Sequence, residues 1–318
     1  MWETRHLPTL SFNLEPASRT GYFPGVVIDF AKMNGAGNDF VFIDNRSRKI
    51  QLQPAQIARL CDRHKGVGAD GVILLVPCPS GRADWAWDFY NSDGSSAEMC
   101  GNGARCFARF VRRLTGSNGD LSFETRAGVI TARFQGENVT ADLALHSGQA
   151  GRTEVPRPQG EDVTVNLTPP KDLRLRQQVK LSSGPAEIHS LNTGVPHAAL
   201  FVPDADKAMV QPLGEEIRHH PHFAPKGTNV NFVQVLGPGK IRVRTYERGV
   251  EGETLACGTG VTASALITAE LRGFPSPIQV QVQSGDMLEI SFDRTRGQFT
   301  NVGLAGPAEF VFEGRIEV

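Results

Sequence analysis

The sequence predicts an α+β fold built from two related halves, each a set of antiparallel strands wrapped around one central helix. Three observations lead there. Period-2 alternation recurs in many short segments separated by turns, the pattern of antiparallel sheets. Helical patterns are few. One block also occurs twice: Met99-Cys100-Gly101-Asn102-Gly103-Ala104-Arg105 and Ala256-Cys257-Gly258-Thr259-Gly260-Val261-Thr262 each set a cysteine and two glycines ahead of an apolar run.

The strands follow in order from the alternation. Residues 39–44 make the first, and 84–90 place Trp85, Trp87 and Phe89 on one face. Segments 121–125, 129–134 and 139–145 come next, with Gly-bearing turns between them. The second half repeats the style at 163–167, 198–202, 230–235, 241–246, 278–283 and 288–292, and 308–312 closes the chain. A helix over 54–64 opens near Pro54 and aligns Ile57, Leu60 and Cys61. A helical region over 204–220 is interrupted at Pro212 and Gly214. The remaining two helices follow the cysteines. Phe107, Ala108, Val111 and Leu114 mark the first; Ala263, Leu266, Ile267, Ala269 and Leu271 mark the second, which is apolar nearly all round and therefore buried. The Gly/Pro-rich, charged stretch 147–185 carries the connection between halves near its start.

The repeat extends upstream. Ala36-Gly37-Asn38-Asp39-Phe40-Val41 stands before Cys100 as Thr193-Gly194-Val195-Pro196-His197-Ala198 stands before Cys257, with Asn38 and Val195 equally far from their cysteines. Tyr90-Asn91-Ser92-Asp93-Gly94 and Tyr246-Glu247-Arg248-Gly249 occupy matching places between. Each half therefore offers one cysteine at one helix N-terminus. Unpaired N–H groups and the helix dipole favour a thiolate there, and the same N–H groups, bared by glycine, can hold a carboxylate. If the halves face each other, one thiolate can take a proton from a carbon while the opposing thiol returns one to the other face, which inverts a stereocentre. The pair must hold one thiolate and one thiol, so its protonation states are coupled. The scheme requires no cofactor and no metal.

The bulk properties are compatible with such an enzyme. A chain of 318 residues suits about two domains. Its net charge is −1 and its pI near 6.7, with no basic stripe, so neither nucleic acid nor an anionic membrane is the expected partner. No apolar run is long enough to span a bilayer. Residues 1–25 lack a signal-peptide core and carry scattered Pro and Gly, so a flexible extension is expected. Five cysteines, an odd number in a long chain, argue for a reducing compartment, and the expected location is cytoplasmic. Cys61, Cys78 and Cys106 read as small hydrophobes. Arg105, Arg109, Arg112 and Arg113 read as a basic helix edge, solvated or at a subunit contact.

The stretches Asn34-Gly35-Ala36-Gly37-Asn38-Asp39-Phe40, Met99 to Cys106 and Tyr246 to Gly260 resemble the diaminopimelate epimerase family, and the resemblance runs from about Val26 to the C-terminus. It implies interconversion of LL- and meso-2,6-diaminoheptanedioate without a cofactor, on the route to lysine and peptidoglycan. It also implies two pseudosymmetric domains, each a barrel-like sheet around a central helix, with the active site in the inter-domain cleft, and usually a homodimer. The domains would be 26–146 and 147–304, with 305–318 returning to the first. Cys100 and Cys257 would be the acid/base pair. Gly101, Asn102, Gly258 and Thr259 would surround the reacting carboxylate, and Asn38, Asn91, Asn229, Glu247 and Arg248 would bind substrate. The resemblance puts Arg248 on the distal carboxylate, which suits its planar fork, and sets His197 and Glu247 beside the cysteines to tune them. Two positions depart from the family's usual pattern: Val195 stands where asparagine is common and Gly71 where glutamine is common, and Asn192 is the nearby candidate to compensate.

Other readings fit less well. Gly258 to Ala263 matches G-x-G-x-x-A of a dinucleotide fold but does not directly follow a strand. Proline-type racemases of the same fold typically carry histidine where Asn102 stands, and dehydratase relatives lose one cysteine. A histidine racemase is nearer in sequence. A non-catalytic scaffold needs neither cysteine. Two thiols serving one carbon also predict reversible inactivation in air through a Cys100–Cys257 disulfide. Mass spectrometry of oxidised, inactive protein checks this, and finding both thiols free would refute it.

Overall fold

The computed structural model describes residues 26–117, 119–135 and 162–318. The predicted strand at 139–145, the connection near residue 147 and residues 1–25 lie outside the described residues. The first run of chain forms β1 (Val27–Gly35), β2 (Asn38–Asp44), α1 (Pro54–Cys61), β3 (Gly71–Val76), β4 (Trp85–Asn91), α2 (Gly101–Thr115), β5 (Leu121–Thr125) and β6 (Gly128–Gln135). Next come β7 (Asp162–Asn166), β8 (Lys171–Leu181), β9 (Gly184–Asn192), β10 (Pro196–Phe201), α3 (Val210–His219), β11 (Asn229–Gly237) and β12 (Lys240–Glu247). The chain ends with β13 (Gly252–Thr254), α4 (Gly258–Arg272), β14 (Ile278–Gln281), β15 (Met287–Thr295), β16 (Gln298–Gly306) and β17 (Glu309–Glu317).

The pairing order of the first run is repeated by the second. β1–β2 and β9–β10 are antiparallel, and β2–β3 and β10–β11 parallel. β3–β4 and β11–β12 are antiparallel, and β4–β5 and β12–β14 parallel. Antiparallel pairs β5–β6 and β6–β7 then match β14–β15 and β15–β16. β17 pairs with β1 as β8 pairs with β9, and β7–β16 joins the two sets. The fold is α+β, but the sheet is mixed rather than purely antiparallel. Each of these parallel pairs has an α-helix between its strands, which supplies the crossover that a parallel neighbour requires.

The sheets have two buried faces, which explains both helix types. Phe40, Phe42, Ile73 and Leu75 point at α2, whereas Val41, Ile43, Val72 and Leu74 pack with Ile57 and Leu60 of α1. Val233 likewise joins the core around α4, while Val230 and Phe232 pack with Val210 and Ile217 of α3. β3 is buried at every residue, so Gly71-Val72-Ile73-Leu74-Leu75-Val76 shows no alternation and gives no period-2 signal. The side chains around α2 and α4 form one continuous core from Phe107 and Phe123 to Leu266 and Leu304. α4 is buried at nearly every position, as its composition predicts. No helix among the described residues is long and apolar enough to cross a membrane.

One local expectation is corrected. Pro212 and Gly214 do not interrupt a helix; they lie inside α3. Pro212 is the third residue after the cap at Met209, within the first turn, where its missing N–H removes no intrahelical bond. Gly214 lets α3 close onto β12, since a Cβ there would lie 2.5 Å from Tyr246 Cβ. Gly214→Ala is expected to destabilise the protein by about 1–3 kcal/mol, read from urea unfolding. An unchanged midpoint would show that α3 can move away at no cost.

Candidate active site

Each cysteine caps a helix. Cys100 is the extended residue before α2 (φ −140°, ψ 123°) and Cys257 the extended residue before α4 (φ −119°, ψ 105°). Each accepts the first intrahelical bond on its carbonyl, from the N–H of Ala104 and of Val261, both at 2.8 Å. The two helices meet N-terminus to N-terminus. A Cβ on Gly101 would sit 3.6 Å from Gly258 Cα and 2.7 Å from Leu304 Cδ2; one on Gly258 would sit 3.4 Å from Gly101 Cα and 2.9 Å from the same methyl. Both positions must be glycine for the ends to approach this closely.

A cavity of about 150 Å³ opens where they meet. Among the predicted site residues it is lined by Asn38, Cys100, Gly101, Asn229, Glu247, Arg248, Cys257, Gly258 and Thr259. Three others are placed elsewhere. Asn102 is fully buried just behind the wall: its Nδ2 donates to Asn38 Oδ1 (2.6 Å) and Ala256 O (3.3 Å). His197 is buried with Nε2 2.9 Å from Thr259 Oγ1. Asn91 does not line the cavity; it ends β4, exposed, with Nδ2 donating to Ser95 Oγ at 3.0 Å. Sequence reasoning missed Glu98, Met99, Thr193, Leu167 and Thr168 as lining residues. The first three lie inside or beside the repeated blocks and were within reach of that signal. Leu167 and Thr168 follow β7, and nothing in the sequence marks them.

The polar residues of the wall are held in place. Asn38 Nδ2 donates to Asp70 Oδ2 (3.0 Å), and Asp70 and Asp39 are both gripped by Arg63. Asn229 Oδ1 accepts the backbone N–H of Arg248 at 2.8 Å, and its Nδ2 donates to Pro196 O at 3.2 Å. Arg248 Nη1 donates to Lys226 O at 3.3 Å, and no carboxylate among the described residues pairs with it. Val195 lines the cavity as an apolar group. Asn192 does not fill its place, since its Oδ1 accepts the Gly194 N–H at 3.0 Å. Gly71 is not a lining residue; a Cβ there would lie 2.6 Å from Tyr90 O. Arg105 is not on a solvated edge but fully buried, donating to Asn102 Oδ1 (2.9 Å), Pro307 O (3.3 Å) and Gly101 O (3.4 Å).

Burial decides the protonation of the site. It raises Cys100 to about 11 against the pull of the Gly103 and Asn102 N–H groups, with Glu247 adding to the rise. Burial also raises Cys257, again with Glu247, against the Thr259 hydroxyl and the Gly260 N–H. The helix ends therefore moderate, without overturning, the desolvation of the thiols. Glu247 is itself raised by burial. His197 is pushed down to about 3 by burial and by the charge of Arg248, so it is neutral at neutral pH.

The fold of two matched halves defines a structural class with solved members. The phenazine biosynthesis protein of the PhzF family from Bacillus anthracis superposes with a TM-score of 0.66 at 14% identity, covering 92% of this chain and all of that one. A hydroxyproline epimerase from Agrobacterium vitis gives 0.63 at 17%, covering 92% and 93%. Within that class the sequence is specific. The diaminopimelate epimerase model matches residues 30–151 and 189–311. Diaminopimelate epimerases from Aquifex aeolicus and Hydrogenobaculum are 42% and 40% identical, over 91% and 90% of this chain and 98% and 97% of theirs. The chain belongs to the diaminopimelate epimerase family.

The histidine gives a testable consequence. Between its ordinary 6.5 and its folded value of about 3, the unfolded chain binds a proton that the folded chain does not. Stability is therefore expected to fall as pH drops through that window. His197→Gln should show a shallower fall in urea unfolding; equal slopes would mean His197 protonates freely in the folded state.

Proposed function

We propose that this protein interconverts LL- and meso-2,6-diaminoheptanedioate by two-base proton transfer between Cys100 and Cys257. The observation that carries the reading is the meeting of two cysteine-capped helix N-termini at one cavity. A bound α-carboxylate takes the N–H groups of the two helix ends, which also stabilise charge developing as the α-carbon loses its proton. Both thiols are raised by burial, so the working thiolate needs a cation, and the α-ammonium of an amino acid supplies one beside it. Once one thiolate exists, its charge keeps the other group protonated, which maintains the acid/base pair.

The remaining residues divide the substrate between them. Arg248, without a carboxylate partner among the described residues, takes the distal carboxylate bidentately. Asn38 and Asn229 are fixed by their own hydrogen bonds and present amide groups to the cavity; Asn91 belongs to this set by resemblance alone. Glu247 and His197 set the polarity around the thiols. Val195 offers an apolar wall where relatives often present an amide, so the grip on the distal end rests more heavily on Arg248. A homodimer in the cytoplasm, on the route to lysine and peptidoglycan precursors, completes the reading.

Proton exchange in D2O with the LL isomer, under reducing conditions and with nothing added, tests this. Deuterium should enter one α-carbon as meso product forms. Cys100→Ser and Cys257→Ser should each lower epimerisation by about a hundredfold or more. Exchange into histidine or proline but not diaminoheptanedioate would reassign the substrate, and unchanged activity in both variants would refute the two-thiol chemistry.

A further inference from the structure

Asn231 lies on β11, two residues beyond Asn229 and on the same face, but wholly buried and outside the cavity wall. Its amide has one orientation. The Ala198 carbonyl, which can only accept, lies 3.0 Å from Nδ2, so the NH2 group faces it. Oδ1 accepts from the hydroxyl of Thr245, its register partner on β12, at 2.9 Å. The second N–H of the amide is then left facing His197 Nδ1 at 3.3 Å. A donor there requires a lone pair on Nδ1, which places the imidazole proton on Nε2. Nε2 is 2.9 Å from Thr259 Oγ1, so that oxygen accepts, and its single proton is free for Cys257 Sγ at 3.5 Å. Gly260 permits the approach of α4, because a Cβ there would collide with Asn231 Oδ1.

We propose that Asn231 is a positioning residue that fixes His197 as its Nε2–H tautomer and so aims the Thr259 hydroxyl, as a donor, at Cys257. The inference rests on the two-thiol reading and deepens it. It also marks where the pseudosymmetry is broken. Asn102, which stands in the repeat where Thr259 stands, turns its side chain to Asn38, Ala256 and Arg105. Cys100 instead takes backbone N–H groups of Asn102 and Gly103. Glu247 from β12 opposes the ionisation of both thiols; at Cys257, where Cys100 from the start of α2 also opposes it, the Thr259 hydroxyl joins the Gly260 N–H in countering them. His197 in turn faces Arg248, which opposes a charged imidazole.

Asn231→Asp tests the direction of the chain of donors. A carboxylate accepts from His197 Nδ1, reverses the tautomer, and makes Thr259 donate to Nε2 instead of to sulfur. Peptide-resolved iodoacetamide labelling at one fixed pH of about 8 should show the Cys257 rate lowered about tenfold or more, with the Cys100 rate unmoved. The rate constant kcat should fall about tenfold or more with KM nearly constant, and Asn231→Gln or Asn231→Leu should not restore it. A loss of stability with both cysteine labelling rates unmoved would overturn the proposal. If the variants do not fold, nitrogen NMR of histidine-labelled wild-type protein still decides: a His197 proton on Nδ1 at neutral pH refutes it. Neither the labelling nor the NMR needs turnover, so a failure of the epimerase assignment would be seen separately, as absent α-proton exchange in the wild type.

Discussion

Two α-helices pointing their N-termini at each other bring like partial charges together, an arrangement that neither helix would adopt alone. In this protein it is imposed by the packing behind it. α2 and α4 are each enclosed by sheet, and their ends meet through Gly101 and Gly258 beneath one methyl of Leu304. On the two-thiol proposal the unfavourable field is the functional resource. The N–H groups that have no partner within their own helices converge where an anion is wanted, and the cysteines that cap them stand on either side.

The buried guanidinium of Arg105 adds to that field. Among the described residues its acceptors are neutral oxygens, the side-chain carbonyl of Asn102 and the main-chain carbonyls of Gly101 and Pro307. Through Pro307 it ties the start of α2 to the segment between β16 and β17, and through Asn102 it connects to Asn38, Asp70 and Arg63. Buried charge without a carboxylate is costly, and on the two-thiol proposal its place beside Cys100 is explained by electrostatics, since it favours the thiolate there. Burial pulls the other way on the thiols, raising Cys100 and Cys257 by excluding water. The site thus combines thiols raised by burial with a buried guanidinium behind its wall.

Much of this was legible in the residue order. Alternation located β4, β5 and β12, where residues against a central helix alternate with less buried ones, and β2 and β11, whose buried runs are bounded or interrupted by polar residues. It failed at β3, buried on both faces, and at β8, where Lys and Arg crowd a mostly exposed strand inside a stretch whose composition reads as a connection. The parallel pairs were also hidden, since strand direction is set by where each helix returns the chain. Arg105 was misread for a related reason: a basic residue on a helix is assigned to solvent unless something shows a partner, and its acceptors lie in the 307 region and on its own first turn.

By itself the sequence determined the two cysteine–glycine blocks, their equal spacing from matching upstream turns, and the helical runs after them. Those features follow from local chemistry, in which glycine bares backbone N–H groups and apolar periodicity declares a buried helix. Only the tertiary structure decided that the two helix ends meet, that Asn91 stands off the cavity while Thr168 lines it, and that Asn231 orients His197. Each of those facts joins residues far apart in the chain, and their contact is fixed by how the sheets pack rather than by what surrounds either residue in sequence.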